Sequence, residues 1–435
     1  GYQDTTARHY SGLSLRDVLI ETEDGPISLR GTTDMGVSDT VNGYYTAGIR
    51  FWEYGSAVTL LSGTGNITLE GRNTHASFAG PGISMVVNEG EGLSAAADRT
   101  SQAVVEDSAI DPVHIATGGG GKVELIAEGG GYSYFNHNGS GATGAALLMG
   151  ARYQGSTYRS DQYETPVTIN AGSGGVQITA IHPQKAGGTN NLSSNYTGYG
   201  IYKADYDPSS SDANLAKYDL AINSDAGVTI VSDEEIYFYD SHDESDAQLT
   251  ENPITAAGAI NINTVAEGFV EVGTLINESA QPITLSSYEG QIEVGTIDNR
   301  QGSAITITSG IGAGDGSDHS TLTNGDIRLY GRITQSGAGV ISLTGADDVE
   351  VYDDVLKDAG GNSQFTARAR RHIYLYGRGN YAESLVTTSG KLDVVLNADW
   401  ESPTGNGRDN GFVYLRGNVV TLGGDLLIHG GLSET

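Results

Sequence analysis

The feature that most constrains this chain is an interval of about 22 residues between short β-branched runs. Ile260, Ile283, Ile305, Ile327, Val349, Ile373 and Val394 each lie in such a run, at steps of 23, 22, 22, 22, 24 and 21. A second series falls between them, with Val270 in GFVEVG and Ile292 in GQIEVG 22 residues apart. The punctuation recurs as well, in GDIRLYG at 325–331, GVISLTG at 339–345 and GFVYLRG at 411–417. A repeat this short cannot bury its own apolar face and must stack on its neighbours. Its content is strand and turn, with no helical face. The pattern therefore predicts an all-β solenoid, a parallel β-helix in which each repeat is one coil of about 22 residues.

Within GDIRLYG, alternation puts Ile327 and Leu329 on one face and Asp326, Arg328 and Tyr330 on the other. The first pair is expected to point into the tube and the second set outward. Coils stacked about 4.8 Å apart would pair every strand N–H and C=O with the coils above and below. The glycines at both strand ends are expected to supply tight corners through positive φ. Two interleaved series imply at least two strands per coil, with room for a shorter third. About 14–18 such coils are expected, stacked at the strand spacing.

The same grammar reaches the start of the chain, less evenly. DVLIETEDGPISLRG at 17–31 and AVTLLSGTGNITLEG at 57–71 each hold a strand pair. Ile27 and Ile67 are 40 residues apart, which is two coils or one coil with an insertion at 39–55. The pattern lapses over 73–120, 132–164, 183–217 and 233–252. The expected organisation is one continuous solenoid, with long loop insertions over 1–257 and a regular shaft over 258–435.

Charge narrows the partners. With 54 acidic and 23 basic residues the net charge is −31, which disfavours nucleic acid and anionic lipid. Cysteine is absent, so disulfides and thiolate metal sites are excluded. No run approaches the length of apolar sequence a membrane-spanning helix needs. Tyrosine (24) far outnumbers phenylalanine (7), which suits half-exposed sheet faces where a ring packs and its hydroxyl meets water. The opening Gly1-Tyr2-Gln3 reads as a mature or excised segment. Both ends read as uncapped coils, which implies a longer chain or end-to-end self-association into a fibre.

Residues 386–417, VTTSGKLDVVLNADWESPTGNGRDNGFVYLRG, run strand, turn, Gly-rich acidic loop, strand. This segment resembles the coils of filamentous haemagglutinin-like exoproteins, the adhesins exported by two-partner secretion. The Gly-Asn-Ile-Thr-Leu and Ile-Thr-Ile strands elsewhere are similar to that family too. The resemblance implies a right-handed parallel β-helix on the bacterial cell surface or outside the cell. It also implies a structural or adhesive role without catalysis, and a glycan or protein on a host or neighbouring cell as partner. The NPNL and NPNG-type motifs of the family's secretion domain do not occur.

The alternative from another class is a polysaccharide-degrading β-helix enzyme, a lyase or hydrolase with carboxylates on an exposed sheet. Its candidate residues are Asp347, Asp348, Asp353 and Asp354. For a cofactor the sequence offers only calcium, through oxygen-rich clusters at Asp240, Asp243, Glu244 and Asp246, at Asp315 and Asp318, and at Asp399, Glu401 and Asp409. None has the EF-hand spacing. The nine histidines form no metal-binding pattern. The GxGxxG at Gly139, Gly141 and Gly144 is about what chance supplies at this glycine content.

Overall fold

β-Branched and aliphatic residues at alternate positions build most of the strands that carry the core, and their register defines the coil. The computed structural model describes residues 11–16, 18–34, 47–52, 57–75, 80–87, 113–130, 144–152, 167–182, 198–203, 220–238, 252–266, 268–310, 325–377, 383–398 and 411–430. The described residues form 34 strands, paired in parallel, and no helix. The fold is a parallel β-helix, as the interval predicts. The chain divides into two compact units, 1–221 and 222–435.

In the first unit each coil contributes one strand to each of three ladders. The first ladder stacks Ile27–Thr33, Ile67–Asn73, Lys122–Glu128 and Gly175–Ile181, with Ile27, Ile67, Val123 and Val176 in register. The second holds Leu13–Arg16, Ile49–Trp52, Ile83–Val87, Gly144–Arg152 and Gly198–Lys203. The third holds Val18–Thr22, Val58–Ser62, Val113–Thr117 and Val167–Ala171. Ile27 pairs directly with Ile67, so the 40 residues between them are one coil with an insertion. The stretches where the pattern lapses still contain strands. Ile83–Val87, Gly144–Arg152 and Gly198–Lys203 are second-ladder members that alternation did not reveal.

The second unit repeats this plan over eight coils. Its first ladder aligns Val228, Ile260, Ile283, Ile305, Ile341, Phe365, Val394 and Leu426. The second aligns Ile236, Val270, Ile292, Ile327, Val349, Ile373 and Val413. The third aligns Ile222, Ile254, Leu275, Ile297, Ile333, Val355, Leu385 and Val419. The third strand of the coil is therefore real.

This register corrects the sequence reading in three respects. The series from Ile260 to Val394 is two ladders merged: Ile260, Ile283, Ile305 and Val394 belong to the first, and Ile327, Val349 and Ile373 to the second. The coil after Ile305 is lengthened, so Ile305 pairs with Ile341, and a 22-residue step lands on the neighbouring ladder by coincidence. The shaft is thus less bare than expected, since the coils beginning at Ile305 and Ile373 carry extra chain. Among the described residues the first ladder holds four strands in the first unit and eight in the second.

The third correction concerns glycine. None of the glycines that open and close GDIRLYG, GVISLTG and GFVYLRG has positive φ. In the first unit the closing glycine lies inside the strand and serves close approach. A Cβ on Gly31 would lie 2.0 Å from Gly48 O, and one on Gly71 2.1 Å from Gly82 O. At these points two backbones pack directly against each other, and only glycine fits.

Polar side chains close the corners. After the third ladder, Asn277, Asn299, Gln335, Lys357 and Thr387 occupy one register position and are buried. Asn299 Nδ2 donates to Ser303 O (2.7 Å) and Gln335 Oε1 (2.7 Å), and Gln335 Nε2 donates to Ser303 O (3.0 Å). Lys357 Nζ donates to Ala359 O (3.1 Å), Gly360 O (2.6 Å) and Ser389 O. After the first ladder, the hydroxyls of Thr264, Ser287 and Ser309 donate to the carbonyls of Gly268, Gly290 and Gly325. Each bond gives a turn carbonyl the partner it would otherwise find in water.

Candidate functional site

Alternation along the second ladder of the second unit sends every other side chain outward, and parallel register lines these up in columns. One column reads Glu293, Arg328, Glu350, Tyr374, Tyr414. A second, just before each strand, reads Gln291, Asp326, Asp348, His372, Phe412, and is fixed by the backbone bonds that these residues' carbonyls accept or neighbour. A third, just after, holds Tyr330, Tyr352 and Tyr376. The inward partners Ile292, Ile327, Val349 and Ile373 are buried and hold the strands rigid.

The charged end of this face is an ion-pair network. Arg328 contacts Asp326 (2.8 Å), Glu293 (3.1 Å) and Glu350 (3.6 Å). Arg371 makes a forked contact with Asp348, Nε at 2.9 Å and Nη2 at 2.6 Å, and also reaches Asp347 at 3.0 Å. Asp348 Oδ1 accepts the His372 N–H as well (2.9 Å). Burial pushes the Asp326 carboxyl above its usual range, against the opposing pull of the Asp348 N–H and Arg328. Arg328 and Arg371 are held charged by the carboxylates around them.

Of the candidate acids, Asp347 and Asp348 come together and are joined by Asp326, with ligand atoms all within 4.8 Å of one another. Asp353 and Asp354 sit at the next corner, where Asp354 contacts Arg332 at 3.4 Å. The calcium candidates Asp240, Asp243, Glu244, Asp246, Asp315, Asp318, Asp399, Glu401 and Asp409 lie outside the described residues. The Asp326–Asp347–Asp348 group fits calcium poorly. Both oxygens of Asp348 and Oδ2 of Asp326 already accept from guanidinium groups, whereas the ion needs six to eight free oxygen ligands.

The other end of the face is aromatic. Tyr330, Tyr352 and Tyr376 stack with ring centres 5.1 and 4.9 Å apart. Tyr374 lies parallel to Tyr376 at 5.6 Å and meets Phe412 edge-on at 5.4 Å. His372 rests on Phe412 at 4.1 Å, and Tyr414 tilts against Tyr374 and Tyr376. Phe412 and Tyr414 are each 43% exposed. Burial raises the tyrosine pKa values of Tyr352, Tyr374 and Tyr376, so their hydroxyls stay protonated and able to donate. Tyr352 donates to Glu350. Burial also lowers the His372 pKa, which favours the neutral ring.

Sequence reading set Asp326, Arg328 and Tyr330 outward without naming them as site residues, and it missed Arg371 and the aromatic columns. One signal was present: Tyr330, Tyr352 and Tyr376 are spaced by 22 and 24 residues, the step of a coil. No protein-family model matches the chain, and neither a curated protein nor a solved structure matches it at a significant level.

Proposed function

We propose that this chain is an extracellular structural and adhesive β-helix, part of a bacterial surface fibre or adhesin. The observation that carries this reading is the engagement of the outward carboxylates by arginine. Asp348 is locked by a forked contact with Arg371, and Asp326 and Glu293 share Arg328. Such a pattern braces adjacent coils, while an acid–base pair needs carboxyls free to exchange protons with a substrate. The cysteine-free sequence and the filamentous haemagglutinin-like coils support the same reading. The partner would be a glycan or protein on another cell, and end-to-end association into a fibre accords with it. A glycan array run beside a polysaccharide lyase and hydrolase screen tests the role. Binding without turnover is the expected result, and clear turnover would overturn it.

One observation favours a second reading, a polysaccharide-degrading enzyme. Asp326, with its raised pKa, lies beside Asp347 and Asp348 on an outward sheet. That reading requires turnover that is lost in Asp347→Asn and Asp348→Asn.

A further inference from the structure

We infer that the aromatic end of this face, formed by His372, Tyr374, Tyr376, Phe412 and Tyr414, binds a polysaccharide of neutral or amine-bearing sugars. The inference rests on the adhesive reading and names its ligand. A pyranose ring offers an apolar C–H face and a rim of hydroxyls. Exposed aromatic rings match the first, and hydroxyl, carboxylate and guanidinium groups match the second. Both kinds of group lie here on one rigid sheet. His372, Tyr374 and Tyr376 are partly exposed, and Phe412 and Tyr414 extend the aromatic row onto the next coil by packing against them. The protonated hydroxyls of Tyr374 and Tyr376 flank the rings.

Charge selects among sugars. The adjoining network sets Glu293, Asp326, Asp347, Asp348 and Glu350 against Arg328 and Arg371, so carboxylates exceed guanidinium groups. The whole chain is acidic in the same sense, at −31. Uronate and sulfated glycans are repelled by this field, and amine-bearing sugars are drawn to it. Equivalent outward positions recur at each coil, about 4.8 Å apart. That spacing is close to one sugar of an extended chain, so a glycan lying along the stack would pass from the aromatic positions Tyr414 and Tyr374 to the charged positions Glu350 and Arg328.

The test is calorimetric titration of the full chain with three probes: a neutral glucan oligosaccharide, a glucosamine oligosaccharide and a galacturonate oligosaccharide. Tyr374→Ala and Tyr414→Ala are compared with Tyr288→Ala, an exposed tyrosine in a different turn. Thermal melting checks that each variant folds. The neutral and amine-bearing probes should bind, the galacturonate should not, and each face variant should weaken binding about tenfold while Tyr288→Ala leaves it unchanged. Glycan binding that survives both face variants would overturn the location and leave the adhesive reading intact. Preference for galacturonate would overturn the charge argument. Failure of all three probes would overturn the inference, and adherence of the chain to cells through a protein would then keep the broader adhesive reading alone.

Discussion

The second ladder looks different in the two units, although its inward residues obey one rule. In the first unit Ile49, Ile83 and Leu147 align inward, and the outward positions Arg50, Ser84 and Leu148 are buried too. Neighbouring backbones there touch through Gly31, Gly48, Gly71 and Gly82. In the second unit Glu293, Asp326 and Asp348 are buried as well, but Arg328, Glu350, His372 and the tyrosine rows beside them are partly exposed. Inward packing fixes the coil in both. What lies outward decides how far the face is covered.

Changes aimed at this contrast should have graded effects. The largest is expected at Gly48, where a Cβ would sit 2.1 Å from Arg72 N and 2.7 Å from Gly71 C. Backbone cannot move aside as a side chain can, so Gly48→Ala should destabilise the first unit by about 3 kcal/mol or more. Hydrogen exchange resolved by segment should show the loss in the first unit. A variant with wild-type protection would mean that the backbones do not pack this closely. Next is Ile292→Ala in the second unit, a fully buried ladder residue, with a cost of about 2–5 kcal/mol in chemical denaturation.

Asn299→Ala removes a donor to Ser303 O and Gln335, leaving buried polar atoms unmatched, and should cost about 1–3 kcal/mol. A neutral result would show that the corner row is ornamental. Arg371→Met leaves Asp348 without its forked partner. Because Arg371 is half exposed, the loss should be about 1 kcal/mol, smaller in high salt.

The smallest effect is a pH dependence. The His372 pKa is lowered by burial, so its contribution to stability is present above the unfolded value of 6.5 and is lost as pH falls through the lower folded value. Asp326 has the opposite sign. Its raised pKa gives a contribution present below the unfolded value of 3.8 and lost as pH rises through the higher folded value. His372→Gln should therefore flatten the fall in melting temperature on acidification below pH 6.5, and an unchanged profile would remove His372 from that account.

The contrast also explains what could be read in the sequence. Strands such as Ile260–Thr264 and Ile283–Ser286 alternate cleanly because one face is core and the other is partly solvated. Gly144–Arg152 does not alternate, since Ala145 to Met149 are all buried, and it reads as featureless apolar sequence. The paired Asp347 and Asp348 were visible as neighbours. Asp326 and Arg371 lie one regular step away, along the run from Ile327 to Val349 and Ile373, so their proximity was implicit in the interval, but the side-chain contacts made across it were not. The corner row was illegible for another reason. Asn277, Asn299, Gln335, Lys357 and Thr387 differ in residue type and share only a position.

The central claim is that the three-strand coil, and not the 22-residue interval, sets which residues are neighbours. It is tested by cysteine pairs, which the cysteine-free chain allows without background. Thr306 is in register with Ser342, one coil away at about the strand spacing, within reach of a disulfide. The bare interval would instead pair Thr306 with Arg328. Under mild oxidation, Thr306→Cys with Ser342→Cys should cross-link nearly completely, and Thr306→Cys with Arg328→Cys should stay reduced. The reverse outcome would contradict the register and with it the face on which Asp326, Asp348 and His372 align.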